Sequence, residues 1–357
     1  MPIIEDMHDV EVIAPNFKRR LSGVTSTIIQ LVPVQNRLGQ KVVTLGPGLP
    51  DTLPKMRWRD LLSLWTPPAG RTARIWHARR NIEMLPGIVM RDLLRMKLKL
   101  VFTSASQRRH TGWTKFLISK MDAVIATSAK TATYLDVPCT VVMHGIDPER
   151  FSPPADKAAA KSALGLDPTR KYAGCFGRVR HQKGTDLFVE TMIRLLPDRP
   201  DWSAIVAGRA TAQHVGYENG LKERVQAAGL ADRILFVGEH TNINEWYRAL
   251  DLFIAPQRWE GFGLTPLEAM ATGVPVVVTD VGAFSEQIDN SATGTGIIVE
   301  KDDLPAMVGA TADLLDDDAQ RQATGLRGQT RALQNFVIEN EARQVYHVYE
   351  QTASART

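Results

Sequence analysis

Two acidic residues, Glu260 and Glu268, stand with seven residues between them in PQRWEGFGLTPLEAMATG, a stretch that follows the apolar run Leu252 to Ala255. That order puts Glu260 in a loop after a strand and Glu268 a turn or two into the next helix. Gly261 and Gly263 let the backbone run close to a ligand, and Pro266 suits a first helical turn. A helix start of this kind presents N–H groups to an anionic diphosphate, while a carboxylate beside it accepts hydrogen bonds from the hydroxyls of a sugar or ribose. A nucleotide sugar carries both kinds of group. The competing reading is structural, since acids at a helix start also complement its dipole.

A second loop, GRVRHQKGTDLF, follows the run Tyr172 to Phe176 and carries Arg178, Arg180 and Lys183 just before a helix expected at Thr185. Several cations at a strand end suit a diphosphate. Charge-assisted bonds of that kind contribute roughly 1.5 to 3 kcal/mol each and stabilise a leaving group as its charge develops. A solvated basic turn is the plainer alternative.

The elements that must position these loops follow a regular rhythm. Apolar, β-branched runs at Val10 to Ala14, Val42 to Leu45, Leu98 to Phe102, Ala123 to Ala126 and Val141 to Met143 each precede a turn and a helix-like stretch. A second series runs through Tyr172 to Phe176, Ala204 to Ala207, Ile234 to Val237, Leu252 to Ala255, Val274 to Thr279 and Ile297 to Val299. The fold class is therefore α/β, with two Rossmann-like, doubly wound parallel sheets whose strand ends face a cleft. The proline-rich segment GIDPERFSPPADKAAAKSALGLDPTR reads as the linker, giving domains over 1–165 and 166–335. Residues 336–357 form a closing helix packed on a domain, with the N-terminal one as the candidate.

Bulk properties bound the partners. A chain of 357 residues fits two domains. Two cysteines, Cys139 and Cys175, suggest neither a disulfide framework nor a zinc site, and both read as buried small hydrophobes. The start MPIIEDMHDV lacks a signal-peptide pattern and no run reaches membrane-spanning length, so the expected location is cytoplasmic. Residues 1–165 hold 24 Lys and Arg against 13 acids, a balance of +11, whereas the remainder holds 19 against 26, or −7. A basic first half concentrates anionic ligands or lipid near it. In MRWRDLLSLW, the residues Trp58, Leu61, Leu62 and Trp65 share a helical face beside Arg57 and Arg59, which fits an interfacial membrane contact or a core-facing helix equally.

The string EGFGLTPLEAMATGVPVV, with its paired glutamates, closely resembles the family 4 retaining glycosyltransferases, which have the two-domain GT-B architecture. GIDPERFSPP, DAVIATS before Ser128 and VTDVGAFSEQI extend the likeness over nearly the whole chain. The resemblance implies that Glu260 sits at the donor sugar and Glu268 at the ribose. It implies main-chain contacts to sugar and phosphates from Phe262, Gly263 and Leu264, and a diphosphate held by Arg178 and Lys183. No cofactor and no bound metal are implied, and Asp316 to Asp318 read as a solvated acidic run at a helix end. In PNFKRRLSGVTSTII only Gly23 remains of the family's glycine pair, Ser22 taking the other place, while VFTSASQRRH has Ser104 near the place of a donor-facing histidine.

Within that family the chain is most similar to bacterial lipopolysaccharide core mannosyltransferases, notably in WHARRNIEMLPGIVMRD, which implies GDP-mannose as donor. The basic N-domain suits an anionic glycolipid acceptor of the Kdo–lipid A type at the cytoplasmic membrane face. His77, placed after a further strand, with His110, Arg79, Arg80, Ser104, Arg108 and Arg109, are the acceptor-side candidates. UDP-glucose or UDP-galactose as donor, a GT-B epimerase and a non-catalytic sugar-nucleotide sensor remain as alternatives. A dinucleotide oxidoreductase is disfavoured because no G-x-G-x-x-G follows a first strand.

Overall fold

A computed structural model describes residues 6–19 and 23–354. The chain divides into two compact units, Met1–Gly145 with Ile338–Thr357, and Ile146–Val337.

The first unit is a six-stranded parallel sheet of β1 (Val12–Pro15), β2 (Val42–Leu45), β3 (Arg74–Ala78), β4 (Leu98–Ser104), β5 (Ala123–Ala126) and β6 (Thr140–Val141), in the order β2-β1-β3-β4-β5-β6. Alternate residues face opposite sides, as strand geometry requires. Ile13, Val43, Trp76 and Leu100 build one core. Val12, Val42, Ile75 and Val101 build the other, beneath Val345, Val348 and Tyr349 of the closing helix Ile338–Ser354.

The second unit repeats the plan with β7 (Lys171–Phe176), β8 (Trp202–Ala207), β9 (Ile234–Gly238), β10 (Leu252–Ala255), β11 (Val276–Thr279) and β12 (Ile297–Val299), ordered β12-β11-β10-β7-β8-β9. Its inner strands β7, β8, β10 and β11 are buried apolar runs, as expected for a sheet covered on both faces, while the edge strands β9 and β12 are largely half-buried. The chain winds outward from β7 to β9, then returns to the other side of β7 at β10. The switch point therefore lies between β7 and β10, where ligands of open α/β sheets bind at the carboxyl ends of the strands.

Three details differ from the sequence reading. The division falls at Gly145, not near residue 165. The expected linker belongs to the second unit because its short helix Lys157–Ala163 is held there: Lys157 Nζ donates to the Leu250 carbonyl at 2.9 Å, and Lys161 Nζ to Asp251 at 2.9 Å. Asp316 to Asp318 are exposed at the end of the helix Leu304–Asp316, as the sequence reading had them, with Asp316 also paired to Arg199, Asp318 to Lys171, and Asp317 capping the helix Asp318–Asn335 through Gln320 N at 2.8 Å. Cys175 is buried, which pushes its thiol up to about 12, but Cys139 is only partly covered. Among the described residues no helix is long and apolar enough to cross a membrane.

Candidate active site

The loop after β7 is anchored by fully buried Val179, turns through a short 3-10 helix at His181–Lys183, and enters the helix Thr185–Leu195 through Gly184. Gly184 has φ +67°, and a Cβ there would lie 1.7 Å from the Pro256 carbonyl oxygen. Only glycine allows this loop to press against the loop after β10. Arg258 joins the same two loops from the other side. Its backbone N–H donates to the Gln182 carbonyl at 3.0 Å, and its guanidinium donates to the His181 carbonyl at 2.7 Å and to both Asp186 oxygens at 2.7 and 2.9 Å. Burial alone would raise the Asp186 pKa, but Arg258 and the Tyr217 hydroxyl hold it below the ordinary range.

This junction brings Lys183 and Glu260 together as an ion pair between Nζ and Oε2, each side chain about one-fifth exposed at 20% and 18%. Glu260 Oε1 also accepts from Gly261 N at 3.0 Å. Two glycines cradle the glutamate. Gly263, at φ +86°, would place a Cβ 2.3 Å from the Phe284 ring and 2.9 Å from Glu260 Cγ, and Gly282, at φ +60°, would place one 3.0 Å from Glu260 Cβ. The segment after β11 fixes the loop by donating Ala283 N to the Phe262 carbonyl at 3.1 Å and Gln287 Nε2 to the Gly263 carbonyl at 3.0 Å. The Phe262 side chain is buried, while Leu264 caps the helix Thr265–Ala271 with Pro266 in its first turn.

Glu268 lies on that helix and accepts at Oε2 from the Tyr247 hydroxyl at 2.9 Å. Burial pushes the Glu268 carboxyl up, partly offset by the Tyr247 hydrogen bond and by Arg150. Tyr247 is itself fully buried among Phe176, Phe253 and Phe151, with ring centroids 4.8, 5.3 and 5.8 Å away. Burial, then the neighbouring Glu268, drives its phenol well above the ordinary value. Arg178 lies exposed on the loop after β7, with Arg180 partly buried and His181 exposed. A carboxylate on a helix, a second carboxylate and a lysine thus converge on the switch point of one sheet.

In the first unit the switch point lies between β1 and β3. Gly23 opens the helix Gly23–Arg37, with nothing within 4 Å of a Cβ built there; Ser22 lies outside the described residues. His77 lies within β3 rather than after a strand, and both ring nitrogens are engaged at 2.6 Å, Nδ1 with the Tyr349 hydroxyl and Nε2 with Thr103 Oγ1. Burial, with Arg79 nearby, lowers its pKa well below the ordinary range, so it is a neutral tie rather than a cationic acceptor contact. Arg80 is likewise occupied within the fold, bonding Glu83 at 2.7 Å, Asn16 at 2.8 Å and Thr25 at 3.0 Å. Arg79 donates to the His77 carbonyl at 3.3 Å, and burial lowers its pKa. Ser104 is buried at the end of β4, Arg108 and Arg109 are exposed in the following loop, and His110 is partly buried, its pKa lowered by burial and Arg108.

The site's missed members are Tyr247 and Arg258. Arg258 sits inside the string PQRWEG and Tyr247 outside any, but the role of each depends on a partner distant in sequence, Asp186 and Glu268.

The solved structure of Anabaena Alr3699/HepE in complex with UDP matches this fold with a TM-score of 0.81 at 17% identity, covering 96% of this chain and 100% of that one. Two doubly wound parallel sheets of this kind are the GT-B architecture, and the class is glycosyltransferase. The chain belongs to the group 1 glycosyl transferases, whose model matches residues 156–331. It is 70% identical to the lipopolysaccharide core biosynthesis mannosyltransferase LpsB of Rhizobium meliloti (strain 1021), over 97% of this chain and 98% of that protein. It is 56% identical to the lipopolysaccharide core biosynthesis mannosyltransferase LpcC of Rhizobium leguminosarum bv. viciae, over 96% and 97%.

Proposed function

We propose that this glycosyltransferase moves mannose from GDP-mannose, with retention of configuration, to an anionic inner-core acceptor of the Kdo–lipid A type. The observation that carries the donor site is the Lys183–Glu260 pair at the β7/β10 switch point beside Glu268. Full-length likeness to two proteins named lipopolysaccharide core mannosyltransferases supports the sugar and the acceptor class.

In this reading Glu268 accepts hydrogen bonds from the ribose hydroxyls and Glu260 from the sugar. Lys183 and Arg178 hold the diphosphate. The acceptor oxygen bonds to the sugar C1 on the face from which the diphosphate departs, the C1–O bond to phosphate breaks, and the acceptor proton passes to the leaving diphosphate. The protein supplies position and charge stabilisation rather than a covalent intermediate. Ser104, Arg79, Arg108 and Arg109 remain the acceptor-side candidates, and no metal or cofactor takes part.

The test is transfer from GDP-mannose to Kdo–lipid A with the product anomer assigned by NMR. An α-mannoside formed equally well with a chelator present is expected. A β-mannoside, loss of turnover with the chelator, or transfer from UDP-sugars alone would overturn the reading.

A further inference from the structure

The chain has seven tryptophans, and six of them find a partner inside the fold. Trp76 Nε1 donates to the Glu83 carbonyl at 2.8 Å, and Trp65 Nε1 to the Leu94 carbonyl at 2.8 Å. Trp58 packs on Phe17 and Trp113 on Phe116, with ring centroids 5.6 and 5.7 Å apart. Trp246 lies against His240 at 4.5 Å, and buried Trp202 lies beneath Lys171 and Arg321. Trp58 and Trp65 face outward from the 3-10 helix Trp58–Trp65, in which Leu64 is fully buried, so the core-facing reading of that segment holds only in part.

Trp259 is the exception. Among the described residues its ring packs on no other ring, its Nε1 meets no acceptor, and it is 41% exposed. No other Phe, Tyr or Trp among the described residues of the second unit is exposed. A single indole on a surface needs no explanation; what marks this one is its place, between Arg258 and Glu260 in the loop after β10. Both neighbours are fixed. Arg258 is held by its N–H to the Gln182 carbonyl and by its guanidinium to Asp186 and Asp302, and Glu260 by Lys183 and Gly261 N. A ring carried on backbone pinned at both sides has two side-chain torsions left to order, so little entropy is lost when a ligand covers it.

We infer that Trp259 is a platform for a pyranose ring at the transfer site. A hexose in its chair form carries C–H groups on one face, and these meet the negative face of the indole, while the unmatched Nε1–H is left to donate to a hydroxyl. An aromatic face beside a carboxylate thus offers a sugar an apolar and a polar contact together. This role rests on the reading of Glu260 as the donor sugar's partner and adds a residue to it. The mannose of the donor and the receiving sugar of the acceptor present the same chemistry, which the test separates.

The test labels the full chain with 5-fluorotryptophan and assigns the Trp259 fluorine resonance as the one absent from Trp259→Phe. That resonance should move with GDP-mannose, with millimolar free mannose or with Kdo–lipid A, and stay in place with GDP alone; the ligand that moves it names the source of the ring. Trp259→Ala should raise the KM for that substrate about tenfold at unchanged melting temperature and GDP affinity, and Trp259→Tyr should bring it back to within about threefold of the wild type. A resonance that moves with no sugar ligand, or as far with GDP as with GDP-mannose, would overturn the inference. So would a Trp259→Ala variant whose KM values match the wild type, or whose GDP affinity falls in step with them. Failure of the donor reading shows separately, as a wild-type chain that does not bind GDP, and the free-mannose and Kdo–lipid A arms then decide the platform alone.

Discussion

At the scale of single residues, Glu268 governs how the site responds to pH. Burial raises its pKa, and ribose hydroxyls bind the charged form, so protonation competes with the ligand. Affinity for GDP should fall as pH drops through a value above the ordinary carboxylate range. The Tyr247 hydroxyl pulls the other way, so Tyr247→Phe should move that midpoint upward. Calorimetric titration against pH checks both, with Glu268→Gln isolating the diphosphate's own titration. In the unliganded protein the raised pKa makes this group's stability full below its unfolded pKa and lost as pH rises through the folded one. Glu260, Glu268 and Lys183 were legible because they sit in compact strings with glycine and proline at telling places. Tyr247 and Arg258 were not, because their partners Glu268 and Asp186 are brought near only by the fold.

At the scale of elements, glycines decide how the loops meet. Gly184→Ala forces a Cβ into the Pro256 carbonyl at a left-handed φ, and should cost about 1–3 kcal/mol or more while lowering turnover. Gly23→Ala meets nothing and should leave stability within about 0.5 kcal/mol, so a loss of donor affinity in that variant would report a ligand contact. Thermal melts alongside kcat/KM distinguish the two. Most strands were visible as β-branched runs, whereas β3 shows only as a further strand ahead of His77, its apolar run interrupted by Arg74 and His77. Both are buried and satisfied internally, Arg74 by the carbonyls of Val10 at 3.0 Å and Met7 at 2.6 Å. Apolar periodicity cannot register a strand whose polar side chains find their partners inside the fold.

At the scale of the whole molecule, the chain leaves the first unit after Gly145 and returns at Ile338, and the flanking Ile146 and Val337 are bridged, with Ile146 N donating to the Phe336 carbonyl at 2.7 Å. The closing helix was readable from its spacing, whereas the boundary was obscured by prolines that look like a linker but precede a helix docked by Lys157 and Lys161. Tyr349→Phe should lower stability by about 1–2 kcal/mol in chemical denaturation, because it leaves buried His77 Nδ1 without its hydroxyl partner. The central claim is that the β7/β10 switch point holds the donor through Lys183, Glu260 and Glu268. Thermal-shift titration with GDP-mannose, UDP-glucose, UDP-galactose and the bare nucleotides tests it most directly, since a ligand at 100 times its Kd stabilises by roughly 2.7 kcal/mol. A shift with GDP-mannose and GDP that Lys183→Ala and Glu268→Ala each diminish is expected. No shift with any guanine nucleotide would contradict the donor, and a shift unchanged in both variants would contradict the site.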